Sequence, residues 1–270
     1  ALNNLAYVLH ALGQYGKATR LFEESLDMNR VLLGSVHPTI AVGLNNLAFI
    51  LYEQGDLDDA KTMFTQAITM HIELVGMEHP EVANAKLNLA MVYYDLGELA
   101  NAFATAEESL VLYRRLFPDG HPDLANVLTN LGGWLAEQED FNNAEPLLIE
   151  GLVMRRRLLR PNHPSIAYGL IPLAGVYVSK KRYEEARDMA MEARSMFAES
   201  LTSDHWRSAW AASIEGAARA GLGEFETAEV LLTESLLTLE AAHDARPFAV
   251  AAARGYVESL YETFGGFTDK

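Results

Sequence analysis

Apolar residues follow one another at steps of three and four positions along most of the chain. Two successive runs, 40–54 and 57–75, show this spacing, which is that of a helix with one buried face. Gly55 lies in the short stretch between them, where glycine favours a tight turn. The pattern therefore predicts a unit made of a helix, a short turn and a second helix.

This unit recurs along the chain with a fixed period. The dipeptide His-Pro begins at residues 37, 79, 121 and 163, always 42 positions apart. Proline suits the first position of a helix, because its missing N–H costs nothing there. A column of small residues keeps the same period and comprises Ala18, Ala60, Ala102, Ala144, Ala186 and Ala228. Small side chains let two backbones approach closely, so we expect the two helices of each unit to pack together.

The period predicts an all-α fold with six helix pairs and a last unpaired helix in a single domain, 1–270. The predicted repeats are 1–36, 37–78, 79–120, 121–162, 163–204 and 205–246, followed by a partial repeat over 247–270. The first helix lacks a His-Pro step and the last helix lacks a partner. We therefore expect the chain to be a fragment of a longer protein.

Composition narrows the partners and the chemistry. With 37 acidic and 21 basic residues the formal charge is −16, which disfavours nucleic acid and anionic membranes as partners. The chain contains no cysteine, so it forms neither disulfides nor thiolate metal sites, and we expect a cytoplasmic location. The sequence contains no P-loop, GxSxG or HExxH motif, so we expect neither an enzyme nor a bound cofactor.

The repeated positions resemble the tetratricopeptide repeat. The stretch LNNLAYVLHALGQYGKATRLFEESL, residues 2–26, carries its pattern of leucine, small, aromatic and glycine positions. The longer period and the linker G…HP…LNNLA are similar to the kinesin-light-chain type. The resemblance implies a right-handed α-solenoid of about six and a half antiparallel helix pairs. It also implies a protein-interaction scaffold whose first helices line a concave groove that binds extended peptides.

Asparagines on the first helices are the leading candidates for contacts in that groove. An amide offers both a donor and an acceptor, so a row of amides could bind a peptide backbone without reading its sequence. The alternative is that each amide satisfies a neighbouring helix or loop. The row ends at Pro172, which confines the predicted groove to the first four repeats. Its members are Asn4, Asn46, Asn88 and Asn130, with Asn84 and Asn126 beside them.

Aromatic and methionine side chains occupy the next positions of the same predicted face. They are Tyr7, Phe49 and Met91, followed by Tyr52 and Tyr94. These side chains either form pockets for an anchor residue of the peptide or pack between helices. Acidic residues at 53, 95 and 137 come one step later, so we expect a partner with basic residues.

Two other groups of residues have both a structural and a functional interpretation. The histidines of the His-Pro steps lie one repeat apart on loops, which favours helix capping over metal binding. The basic residues of 154–160 and 180–182 either neutralise nearby acidic side chains or bind a phosphate or an acidic partner. Their position near helix ends favours the structural role.

A second class of function stays open beside the scaffold. Residues 203–213 and 256–267 loosely resemble the ends of arrays in bacterial Ser/Thr kinases and other multidomain signalling proteins. This resemblance implies a regulatory or self-assembly module of a larger signalling protein, such as a bacterial Ser/Thr kinase. Self-association would use the terminal helices, because an unpaired helix is expected to expose an apolar face.

Overall fold

A computed structural model of the chain describes residues 2–11, 14–199, 205–242 and 245–268. These residues form thirteen α-helices and no strand, and consecutive helices pack as antiparallel pairs. The all-α fold and its solenoid-like series of helix pairs are thereby confirmed. The helices are α1 Leu2–Ala11, α2 Tyr15–Leu33, α3 Pro38–Gln54, α4 Leu57–Val75, α5 Pro80–Asp95, α6 Leu99–Leu116, α7 Pro122–Glu137, α8 Phe141–Leu158, α9 Pro164–Ser179, α10 Tyr183–Ala198, α11 Trp206–Gly221, α12 Phe225–Ala241 and α13 Pro247–Thr268.

The histidines of the His-Pro steps cap the first helices. In each case Nδ1 accepts a hydrogen bond, 3.1–3.2 Å long, from the backbone N–H two residues later. The capping residues are His37, His79, His121 and His163, together with His205, which stands at the same register before Trp206. Each contact satisfies one of the N–H groups that a helix start leaves unpaired. The capping role predicted for these histidines is confirmed.

The turn between the helices of a pair contains one residue in the left-handed conformation. Gly55, Gly97 and Gly223 have φ angles of 87°, 76° and 83° there. Glu139 and Lys181 stand at the same register without a glycine and still adopt φ angles of 60° and 59°. Because this conformation costs a residue with a Cβ about 1 kcal/mol, packing of the two helices overrides the local preference of these side chains.

The helices divide into two compact units, unit 1 (Ala1–Val127) and unit 2 (Leu128–Lys270). In unit 1 the core includes the fully buried Ile40, Ile50 and Phe64. In unit 2 the largest core cluster includes the fully buried Leu170 and Phe197. The single domain expected from the repeats stays a prediction.

The last helix, α13, has a largely polar exposed face over its described side chains, which end at Thr263. Glu258 is exposed at the register where earlier first helices carry alanine or glycine, and Arg254 and Glu262 are exposed beside it. The apolar exposed face expected of this helix is therefore wrong for most of its surface.

Candidate peptide-binding face

Asparagine side chains of successive first helices meet in unit 1. The Asn88 amide on α5 donates to Oδ1 of Asn45 on α3 at 3.5 Å and to Oδ1 of Asn84 at 3.4 Å. All three side chains are half-buried. Both distances are at the long end for a hydrogen bond, so the Asn88 amide is held only weakly by its neighbours.

Asn45 stands outside the row that the sequence predicts. Its column changes to Leu87 and Thr129 in the next two repeats, which gave no sign of a shared role. The contact joins residues 43 positions apart, one more than the period. Packed helices cross at an angle, so the nearest side chains of two helices need not occupy the same column.

The other members of the predicted row lie in different surroundings. Asn46 is half-buried on α3, and within the described residues its side chain makes no hydrogen bond. Asn4 is exposed on α1. Asn130 is half-buried on α7 and belongs to unit 2. The structure thus brings together Asn45, Asn84 and Asn88, rather than the whole predicted row.

Asn84 and Asn126 take part in structural contacts. Asn84 hydrogen bonds with the hydroxyl of Tyr113, which is 1% exposed. Burial, and then the nearby Asp123 carboxylate, raise the pKa of Tyr113 above its usual range. The Asn126 amide donates to Oδ1 of the same Asp123 at 3.3 Å. For these two asparagines, contacts with their own chain agree with the alternative interpretation.

Side chains at the predicted aromatic and methionine positions pack against neighbouring side chains of unit 1. Phe49 and Met91 are half-buried and pack against the core of unit 1, and Tyr94 is half-buried as well. Tyr52 is 6% exposed within that core, with its ring 6.4 Å from the Phe49 ring. Tyr52 is thus buried in the core of unit 1, and its predicted peptide contact stays a prediction. The side chain of Tyr7 lies outside the described residues.

Some acidic side chains near the predicted face contact basic side chains of the same chain. The Glu53 carboxylate lies 3.0 Å from Nε2 of His10. Between α5 and α6, the ammonium group of Lys86 pairs with Glu108. Asp95 on α5 is exposed. Glu53 and Asp95 are thus both exposed carboxylates that give this face of unit 1 negative character.

The basic stretches of unit 2 are paired with acidic side chains of their own chain. Glu145 accepts from Lys180 at 2.5 Å and from Arg182 at 2.7 Å, and Arg156 donates to Glu192 at 2.6 Å. The Lys180 hydrogen bond is the main cause that lowers the pKa of Glu145. These contacts agree with the structural interpretation of the basic residues.

One arginine of this stretch is buried. Arg155 is 4% exposed, and it donates to Oγ1 of Thr129. Burial lowers the pKa of Arg155 to about 10. A side chain so enclosed cannot reach a phosphate in solution. Among the described residues, no three His, Asp or Glu side chains are placed to hold a metal ion.

Comparison with known families agrees with the repeated helix pairs. The profile of the tetratricopeptide repeat matches residues 1–73, 81–157 and 123–199, which together make up more than half of the chain. The chain belongs to the tetratricopeptide repeat family. Tetratricopeptide arrays generally mediate protein–protein interactions and are generally not catalytic. No curated protein matches the chain in sequence.

Solved structures of kinesin-light-chain-like tetratricopeptide proteins share the fold. BtubC (BKLC) from P. vanneervenii is 24% identical, with a TM-score of 0.63 over 73% of this chain and 79% of its own. A Podosopora anserina protein described as kinesin-light-chain-like, with nearly identical TPR-like repeats, is 22% identical, with a TM-score of 0.58 over 74% and 94%. The apo form of RapI is 14% identical, with a TM-score of 0.65 over 100% and 98%.

At these identities the likeness is one of fold.

None of the helices in the described ranges has the length and apolar character needed to cross a membrane.

Proposed function

We propose that the chain binds an extended polypeptide segment along the first helices of unit 1. The observation that carries the proposal is the long contact between the amides of Asn88 and Asn45, beside the half-buried Asn46. Weak amide contacts can be exchanged for the backbone N–H and C=O groups of a third chain. Every residue of an extended peptide carries such groups. We therefore expect this face to bind the main chain of the peptide rather than particular side chains.

Charge supports a basic partner for the same face. The chain carries a net charge of −16, and Asp95 on α5 is exposed in unit 1. A partner segment with lysine or arginine would be attracted during encounter, and this attraction would weaken as salt is added. The affinity of the complex should therefore fall with ionic strength.

The test removes the amides of unit 1 together. Peptides are selected from a displayed library of random twelve-residue sequences on the wild-type chain, and their affinity is measured by fluorescence polarisation. We expect Asn45→Ala/Asn46→Ala/Asn88→Ala to bind them about tenfold more weakly or worse, because each lost hydrogen bond is worth about 0.5–1.5 kcal/mol. The helical melting curve should change little.

Asn101→Ala is the matched control, since Asn101 is an exposed asparagine of unit 1 on the second helix α6. It should leave the affinity of the selected peptides unchanged. Selected peptides that bind the triple variant as tightly as the wild type would show that the asparagines do not form the binding face.

Self-assembly is the second candidate, and one observation favours it. On α1, Leu5 is 50% exposed and Val8 is 55% exposed, whereas Leu47 and Ile50 at the same registers of the next repeat are 4% and 0% exposed. Light scattering on the wild type and on Leu5→Glu/Val8→Glu tests this candidate. A concentration-dependent dimer that the double variant abolishes would support it, and a wild-type monomer at every concentration would exclude it.

A further inference from the structure

The first helices of unit 2 leave a pocket at registers where those of unit 1 carry large side chains. In unit 1 one of these registers holds Phe49 and Met91, and the other holds Tyr52 and Tyr94. In unit 2 the first of these registers holds Ala217 and Ser259, and the second holds Val178 and Ala220. All four residues line the pocket. The difference in side-chain volume opens the space.

This pocket is lined by residues from α9 to α13 and has a volume of about 590 Å³. Its wall contains apolar and polar surface in similar shares, and its large apolar side chains are those of Leu222, Phe225 and Leu260. None of the described residues that line it carries a charge. That neutrality stands out in a chain with 58 charged side chains, 37 acidic and 21 basic.

The wall contains a fixed ring and a free hydroxyl. A Cβ on Gly221 would lie 2.5 Å from the Tyr183 ring, so the missing side chain of Gly221 lets that ring pack against α11. The half-buried Tyr256 lies on the other side, on α13, and no hydrogen bond of its hydroxyl is found within the described residues. A tyrosine hydroxyl is already protonated and able to donate at neutral pH, and burial raises the pKa of Tyr256 further, to about 12.

We propose that the unit 2 pocket binds one large uncharged side chain, aromatic or leucine-like, of a partner polypeptide. Unit 1 shows what size fits these registers, since its own Phe49 and Tyr52 fill them. A charged side chain is excluded, because burying it among uncharged groups without an ionic partner is costly. The site is separate from the asparagines of unit 1, and it adds an anchor with side-chain selectivity to the proposed main-chain recognition.

Capped tripeptide amides Gly-X-Gly, with X as Phe, Leu, Lys or Glu, are the probes for the whole chain. Titrations are followed by NMR of labelled leucine and valine methyl groups. We expect the methyl signals of Val178, Leu222 and Leu260 to move with the Phe and Leu peptides. Binding of the Lys and Glu peptides should be at least about tenfold weaker, because burial of an apolar side chain is worth about 1.5–3 kcal/mol.

Two variants fill the pocket in different ways. Ala220→Tyr restores the tyrosine that unit 1 carries at this register, and Ser259→Phe does the same for phenylalanine. Ser259 is exposed at the rim, so the second variant should fold even if the first does not. Each should reduce binding of the Phe peptide by about tenfold or more.

Leu237→Tyr is the matched control, because Leu237 is 68% exposed on α12 and does not line the pocket. It should bind the Phe peptide as the wild type does. Equal binding of the Phe and Lys peptides would overturn the proposal, as would undiminished binding of the Phe peptide by folded Ser259→Phe. The Asn45→Ala/Asn46→Ala/Asn88→Ala variant should keep its pocket signals, so this site and the asparagine face can fail separately.

Discussion

The two units fill one pair of repeat registers with opposite chemistry. In unit 1, Leu26 and Leu47 share the buried apolar core. In unit 2 the same two registers hold Arg194 and Glu215, and the guanidinium group of Arg194 donates to the Glu215 carboxylate. Glu215 is 3% exposed. These two registers thus require side chains that fit each other in size and in chemistry. A buried ion pair can meet that requirement as well as two leucines can.

Another buried register shows the same tolerance. In unit 1 it holds His71 and Tyr113, which are 4% and 1% exposed. In unit 2 it holds Arg155, Phe197 and Leu239, which are 4%, 0% and 1% exposed. Polar groups at this register need partners within the protein, because an unpaired buried polar group is costly. Neighbouring side chains, rather than the repeat itself, therefore decide which residue fits.

The largest effect is expected when the ion pair of unit 2 loses its carboxylate. Glu215 also accepts from Nε of Arg219 at 2.8 Å, so Glu215→Leu leaves Arg194 without its acceptor and leaves Arg219 paired with Glu224 alone. We expect the free energy of unfolding to fall by about 3 kcal/mol, the low end for a buried pair because the Arg194 side chain is 39% exposed. Urea unfolding followed by circular dichroism measures it.

The double variant Arg194→Leu/Glu215→Leu gives these two registers of unit 2 the leucines that unit 1 carries there. It should recover most of the lost stability, because an apolar pair of similar volume can replace a buried ion pair. If the double variant is no more stable than Glu215→Leu alone, the side chains of the two units are not interchangeable at these registers.

A smaller effect is expected at the small-residue register of the first helices, which Glu258 occupies in α13. Unit 1 carries Ala48 and Ala90 there, and unit 2 carries Gly132, whose added Cβ would lie 2.6 Å from Cγ of Leu148. Gly132→Ala should therefore lower the free energy of unfolding by about 1–3 kcal/mol through overpacking. Gly133→Ala is the adjacent control, since nothing lies within 4 Å of its added Cβ. It should raise stability by about 0.5–1 kcal/mol, because alanine favours a helix more than glycine does. Thermal unfolding of both variants shows whether the signs differ.

Acid should affect unit 1 through His71. Burial lowers the pKa of His71, and within the described residues its Nε2 has no hydrogen-bond partner. Above about pH 6.5 the imidazole is neutral in both the folded and unfolded states; below it the unfolded state binds the proton more readily. Stability should therefore fall as the pH is lowered from about 6.5.

His71→Phe, which places at this register the residue that unit 2 has at Phe197, should remove this part of the acid sensitivity. We expect the stability of the wild type to fall more between pH 7 and pH 5 than that of His71→Phe, because the lowered pKa of His71 makes the unfolded state bind the proton more readily in this range. Urea unfolding at several pH values measures it. Tyr113→Phe is the control at the same register, and its pH dependence should match that of the wild type. Parallel curves for the wild type and His71→Phe would contradict the assignment.

The smallest effects are expected at exposed ion pairs, where the units should not differ. In unit 1 Arg30 lies 3.2 Å from Asp27, and in unit 2 Arg156 lies 2.6 Å from Glu192. Arg30→Ala and Arg156→Ala should each change the free energy of unfolding by less than about 0.5 kcal/mol, because solvent screens exposed pairs. A large effect at Arg156 alone would show that the basic stretch of unit 2 has a role beyond surface pairing.

Local features of the fold could be predicted from the sequence, and contacts between repeats only in part. The His-Pro steps predicted the starts of α3, α5, α7 and α9, because proline and a capping histidine act within a few residues. The asparagine row was predicted by register, but the contact joins Asn88 to Asn45, since crossing helices shift the nearest neighbours. Tyr52 matched the aromatic pattern of a binding face, yet its burial depends on the helices that surround it.

The sequence by itself determined the period, the helix pairs, the capped helix starts and the family, because these depend on the order of residues along one chain. The tertiary structure decided that Glu215 is buried between two arginines, that the unit 1 registers are filled and that a pocket opens in unit 2. Burial, free volume and pairing of charges arise only when side chains from different helices share one space.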